Sequence, residues 1–151
     1  MQDTLPIHFA PLQGYTEAIY RNAHDAFFGG VDTYYTPFVR LEKGNFRRRD
    51  VRGIEPENNG VTHLIPQLIA SSAEKAEVIL SLFIEKGYQE VDINLGCPFP
   101  LLAKRHNGSG ILPYPEEVKA LLSIVTRYPQ ISFSVKMRLG WEQPDECLAL
   151  A

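Results

Sequence analysis

Cys97 stands in a context that suits chemistry. It follows Val91-Asp92-Ile93-Asn94-Leu95-Gly96 and precedes Pro98. Val91, Ile93 and Leu95 alternate with Asp92 and Asn94, which predicts a strand with one apolar face and one face carrying an acid and an amide. Gly96 ends that strand, and Pro98 stops anything regular from following it. A parallel α/β protein presents its chemistry at the carboxyl ends of strands. A thiol there is available for reaction, or is a small buried apolar side chain. Lys104, Arg105 and His106 follow, with Gly108 and Gly110. A second polar set lies on Ile131–Arg138. Ile131, Phe133, Val135 and Met137 face one way, and Ser132, Ser134, Lys136 and Arg138 face the other. A polar face ending in two cations packs poorly in a core and well in a site.

The elements that must position these residues alternate in type. Ile7–Pro11 reads as a first strand. Thr16 is placed as N-cap of a helix with Ile19, Tyr20, Ala23 and Phe27 at helical spacing, closed by Gly29-Gly30. Thr33–Thr36 is a second strand. Residues 37–60 read as a long connection. Their cations, Arg40, Lys43 and Arg47–Arg49, suit either a solvated surface or a phosphate-contacting arm of an RNA site. His63–Leu68 is a third strand, made irregular by Pro66. Ser71 and Glu74 fit a capping box for a helix with Ala76, Ile79, Leu80, Phe83 and Ile84 on its apolar face. The Cys97 strand is the fourth. Pro115 opens a helix that buries Val118, Leu121, Leu122 and Val125. Ile131–Arg138 is the fifth strand, and Pro144-Asp145 opens a further helix. Strands separated by helices imply parallel pairing and right-handed crossovers.

The chain has 151 residues, enough for one domain with its own core. Its net charge of −3 argues against a generic basic nucleic-acid coat and leaves room for a local basic patch. No apolar run approaches the roughly 20 residues of a membrane span, so no membrane partner is expected. Nothing at the N-terminus reads as a secretion signal. The two cysteines, Cys97 and Cys147, lie far apart and outside any metal-type spacing. No metal site is expected, and a reducing cytoplasm is.

Several segments together resemble one family. They are Ala10-Pro11-Leu12-Gln13-Gly14-Tyr15-Thr16, Pro66-Gln67-Leu68, Asp92-Ile93-Asn94-Leu95-Gly96-Cys97-Pro98, Gly108-Ser109-Gly110-Ile111-Leu112 and Val135-Lys136-Met137-Arg138-Leu139-Gly140-Trp141. In this order and spacing they resemble the tRNA-dihydrouridine synthases, from residue 7 to about residue 142. The resemblance implies an FMN-binding TIM (β/α)8 barrel followed by a small helical domain, with NADPH as reductant and a tRNA uridine as substrate. It implies that Pro11, Leu12 and Gln13 lie against the flavin and that Gln67 hydrogen-bonds its ring edge. Lys136 would sit near the flavin N1–C2 region. Asn94 would line the substrate pocket, and Cys97 would be the proton donor. A free cysteine is mostly thiol at neutral pH and can donate a proton, unlike a nucleophilic cysteine, which needs a depressed pKa. Arg138, Lys104, Arg105 and Arg47–Arg49 are the cations expected to meet tRNA phosphates. The chain departs from the family at Leu12, usually Met, and at Phe99-Pro100-Leu101-Leu102, usually more basic.

Two other readings compete. One is a different FMN barrel, of the dihydroorotate- or dihydropyrimidine-dehydrogenase kind. The other is a catalytically inert half-barrel. A complete barrel takes roughly 250 residues. Residues 1–151 are therefore expected to be its N-terminal five or so βα units, without the C-terminal half-barrel and helical domain. In that form the chain is not expected to retain FMN. Its open strand edges invite self-association.

Overall fold

The computed structural model describes residues 5–150. β1 (His8–Phe9) leads through a turn to α1 (Ala18–Phe27), then β2 (Thr33–Tyr35). Thr16 does not cap α1. Its Oγ1 accepts from the Leu12 N–H at 2.9 Å and so closes the turn beforehand, and Glu17 occupies the cap position. The helical spacing of α1 is present, yet Ile19 and Phe27 lie exposed and Ala18 and Arg21 are the buried positions.

The connection over residues 37–60 is more ordered than its composition predicts. β3 (Leu41–Glu42) and β4 (Asn45–Phe46) form a hairpin, followed by α2 (Arg48–Ile54) and a short 3₁₀ turn at Pro56–Asn58. The hairpin turns on Lys43 and Gly44, both at positive φ, as a two-residue hairpin loop requires. Leu41 and Phe46 pack against the core, and Ile54 is fully buried. Arg21 joins this segment to α1. It is fully buried, and its guanidinium donates to Thr16 O at 2.6 Å, Gly53 O at 2.8 Å and Asn59 Oδ1 at 2.6 Å.

Pro66 splits the third strand into β5 (Leu64–Ile65) and β6 (Gln67–Leu68). α3 (Ala73–Glu85) is capped by Ser72, one residue later than expected, with Lys75 N–H donating to its hydroxyl. β7 (Glu90–Leu95) leads to α4 (Pro100–Ala103), a single turn where no regular structure was expected. A 3₁₀ turn at Gly108–Ile111 precedes α5 (Pro115–Arg127), which starts on Pro115 as expected. α5 buries Ile124 where the sequence pattern points to Val125, and Ile84 of α3 stays partly exposed. β8 (Ser132–Met137) follows, and the last element, Pro144–Ala149, is a 3₁₀ helix.

β1 pairs with β2, β2 with β5, β6 with β7 and β7 with β8, every pair parallel. With β5 and β6 read as one strand interrupted at Pro66, the parallel strands lie side by side in chain order, and the antiparallel β3–β4 hairpin stands apart. Pro66 breaks the ladder only partly, because its carbonyl still accepts from the Asp92 N–H at 3.0 Å. Val91, Ile93 and Leu95 pack outward with Leu68 against Ile79, Leu80 and Phe83 of α3 and Leu121 and Ile124 of α5. The helices cover one face of the sheet. The opposite face carries Gln67, Asp92, Asn94, Ser134 and Lys136, so alternation along the strands separates core from site.

A candidate active-site cleft at the strand ends

Pro11, Leu12, Gln13, Gln67, Asn94, Cys97, Lys136 and Arg138 line one cleft of about 220 Å³. They come from four separate segments: the turn after β1, β6, the end of β7, and β8 with its exit. Pro37 and Phe38, which sequence reasoning missed, complete the wall.

A chain of hydrogen bonds sets the geometry. Asp92, buried at 2% exposure, accepts from Ser134 Oγ at 2.7 Å and from Gln67 Nε2 at 2.6 Å. Gln67 Oε1 accepts from Asn94 Nδ2 at 2.8 Å. Asn94 Oδ1 then accepts from the backbone N–H groups of Gly96 at 3.1 Å and Cys97 at 2.9 Å. Each carboxamide is thereby fixed in one orientation, since its oxygen and nitrogen have different partners. Burial lifts the Asp92 carboxyl above its ordinary value, against the hydrogen bonds from Ser134 and Gln67 and the charge of Lys136. Asp92 and Ser134 do not reach the cleft. Their positions two residues from Asn94 and Lys136 on the same strand faces were the available signal.

The Cys97 backbone is held from the other side too. Its carbonyl accepts from Ser109 N–H and Ser109 Oγ, both at 3.0 Å. Arg138 Nε donates to Gly96 O at 2.9 Å, so this cation both lines the cleft and braces the turn. Gly108 has φ +59°, and a Cβ there would come within 2.5 Å of Cys97 O. A Cβ on Gly110 would run into the Ala103 backbone. The glycines let the following loop lie directly against the cysteine turn. Gln13 is the unsatisfied member of the site: both amide atoms of its side chain are buried without a hydrogen-bond partner among the described residues.

Of the cations expected to meet phosphates, Arg138 alone lines the cleft. Lys104 faces a separate pocket with Trp141, and Arg105 faces a groove with Arg40, Lys43 and Lys75. They follow one another on the turn that ends α4, so their side chains diverge to opposite sides. Arg47 and Arg49 sit near Glu42 and Glu17 respectively.

The architecture is a parallel α/β sheet with its polar side chains gathered at the carboxyl ends of the strands. The family model described as Dihydrouridine synthase matches residues 8–151. The chain belongs to the dihydrouridine synthase family, whose members are TIM barrels and flavin-dependent. It is similar to a probable tRNA-dihydrouridine synthase 1 of Synechocystis, with 29% identity over 139 residues, 88% of this chain and 37% of the relative. A tRNA-dihydrouridine synthase B of Klebsiella pneumoniae is 31% identical over 86 residues, 56% of this chain and 27% of the relative. A tRNA-dihydrouridine(16) synthase of Haemophilus ducreyi is 28% identical over 155 residues, 96% of this chain and 47% of the relative. The chain thus spans less than half the length of these curated relatives.

Proposed function

We propose that this chain carries the reducing face of a tRNA-dihydrouridine synthase, where a uridine gains hydrogen at C5 and C6. One observation carries the reading: Cys97 shares a single cleft with Lys136, Gln67, Asn94 and the Pro11–Gln13 turn, in a chain of this family. The cleft suits the planar, amide-edged ring of FMN. The buried amide of Gln13 lacks partners and Lys136 has no ion pair among the described residues, so both can answer a ligand that offers donors, acceptors and partial negative charge. Pro11, Leu12, Gln13, Gln67 and Lys136 would hold that ring. Bound there, FMN replenished by NADPH supplies the hydride for uracil C6.

The chain's own part is the proton. The Cys97 S–H bond breaks, a C5–H bond forms, the C5=C6 double bond becomes single, and the thiolate recovers a proton from water. Asn94 holds the turn that aims the thiol and lines the uracil edge. Lys136 stabilises negative charge that develops in the cleft. A base within folded tRNA must swing out to enter, so cations around the rim, Arg138 among them, meet its phosphates. The parallel strands in chain order support placing these residues as the N-terminal five βα units of a TIM barrel. A tRNA substrate and the sparse cysteines support a cytoplasmic enzyme.

The test is Cys97→Ala in a full-length version of the enzyme. Dihydrouridine formed in tRNA, counted by mass spectrometry, should fall at least about 100-fold, the scale of a lost general acid. NADPH oxidation without tRNA and the visible flavin spectrum should stay unchanged. Normal tRNA turnover by the variant would refute the assignment.

A further inference from the structure

The target uridine is one nucleotide of a strand, and its neighbours must lie somewhere once it enters the cleft. Beside the cleft is a second pocket, of about 420 Å³, large enough for a nucleobase. Pro98 lines both, so the two are adjoining spaces separated by the residue after Cys97. The walls of the second are of a particular kind. His106 stacks on Tyr114 with ring centroids 4.1 Å apart and planes 12° from parallel. His106 Nδ1 is also 2.7 Å from Glu117 Oε2, which braces the pair. Trp141 closes the pocket from the segment after β8, about half exposed, and Lys104 stands at the edge. An aromatic wall beside a lone ammonium suits a base with its phosphate. Flat rings accept any base by stacking, and the cation meets the backbone.

We infer that this pocket is a subsite for a nucleotide flanking the reduced uridine, its base stacked on Trp141 and its phosphate on Lys104. The inference rests on the proposed RNA substrate and adds to it a place where the strand is gripped. It also gives Lys104 a role although that residue lies outside the cleft. The subsite acts in binding, so its loss raises KM for tRNA and spares the chemical step.

Trp141 is the single tryptophan of the 151 residues, and the part of a full-length enzyme's tryptophan emission that Trp141→Phe removes reports the subsite. Adding unmodified tRNA to the full-length, flavin-loaded enzyme should quench that part of the emission. Trp141→Ala should raise KM for tRNA about tenfold, the scale of one lost stacking contact, with kcat unchanged. Trp141→Phe keeps a ring and should stay within about threefold of the parent. Lys104→Ala should lower the slope of log affinity against log salt by about one, which Trp141→Ala should not do. Arg127→Ala, a cation on the far end of α5, should change neither measure. No quenching, or a Trp141→Ala enzyme whose KM matches the parent or whose loss is all in kcat, would overturn the subsite. The two proposals fail separately: quenching without uridine reduction keeps the subsite and sinks the activity, and reduction without quenching does the reverse.

Discussion

The direction of the hydrogen bonds around Gln67 decides what its amide can offer the cleft. Asp92 takes the nitrogen end, so the oxygen end is left for Asn94, and Asn94 is turned to hold the Gly96 and Cys97 N–H groups. Asp92 is thus a positioning residue for a thiol it does not touch. Asp92→Ala leaves Gln67 Nε2 buried without its acceptor, at a cost of about 1–3 kcal/mol. Asp92→Asn keeps an acceptor for Gln67, and its new N–H₂ donates to the Ser134 hydroxyl, which can reverse its role. Uridine reduction should therefore be lost in Asp92→Ala and largely kept in Asp92→Asn, measured as kcat on tRNA. Equal loss in both would mean that the charge, not the hydrogen-bond direction, matters. Stability adds a signed check. The folded-state pKa of Asp92 is raised, so the native state binds more protons than the unfolded chain between the ordinary carboxylate pKa and the raised one. The parent loses stability as pH rises through that window and the asparagine variant does not. Urea midpoints should show the variant gaining on the parent as pH rises from the ordinary carboxylate pKa through the raised one. In the sequence, Cys97, Asn94 and Lys136 were legible because strand alternation and the Gly-Cys-Pro turn mark them. The relay was not, because its partners stand 25 to 42 positions apart and only the parallel register brings them together. Nor was the divergence of Lys104 and Arg105, which depends on the one-turn α4 that follows Pro98, where the sequence pattern ends regular structure.

Among the elements, α1 and α2 are joined by a charge in an unusual place. Arg21 is fully buried and lacks a salt bridge among the described residues; its two terminal nitrogens donate to two backbone carbonyls and one amide oxygen, while Nε is buried without a partner among the described residues. Burial pushes its pKa down to about 10 despite the charge of Glu17, which still leaves it ionised at neutral pH. Its partners are the Thr16 carbonyl before α1 and the Gly53 carbonyl near the end of α2. Arg21→Met fills much of the same volume and orphans those acceptors, so the cost is about 3 kcal/mol. Arg21→Lys should not rescue it, because one ammonium cannot serve acceptors spread across a planar fork. Urea denaturation of both variants checks this, and a midpoint within error of the parent for either would refute it. The same residue explains why residues 37–60 read as a loop. Their order comes from a distant arginine, a two-residue turn at Lys43-Gly44, and Leu41, Phe46 and Ile54, too few apolar positions to make a periodic signal. The central β-α-β units were legible because α3 and α5 each bury a regular stripe, and β7 and β8 alternate apolar with polar residues in the sequence. The shifts found there, Ser72 for Ser71 and Ile124 for Val125, are single positions on a helix whose period and partners were already set.

For the whole molecule, the sheet has two ends. β1 and β8 each have one strand neighbour among the described residues, and each therefore presents a row of unpaired backbone groups. The β1 end is also bordered by apolar side chains. Ile19 and Phe27 on α1 are 85% exposed, and Phe28 is 81% exposed. A parallel sheet is ordinarily covered on both faces, and helices cover only one face of this one. Apolar surface of this kind next to an open edge favours association. Purified as these 151 residues, the chain should show an apparent mass in sedimentation velocity that rises with concentration. Phe27 is the discriminating position, because it is exposed, not among the residues lining the cleft, and outside the α1 hydrogen bonds to α2. Burying one phenylalanine contributes about 2 kcal/mol, so Phe27→Glu should weaken the association more than tenfold. The same change on the surface of a lone monomer leaves the urea midpoint nearly unmoved. A parent chain that stays monomeric over the accessible range, or a glutamate variant that associates equally well, would show that the α1 face is not where the sheet finds its cover.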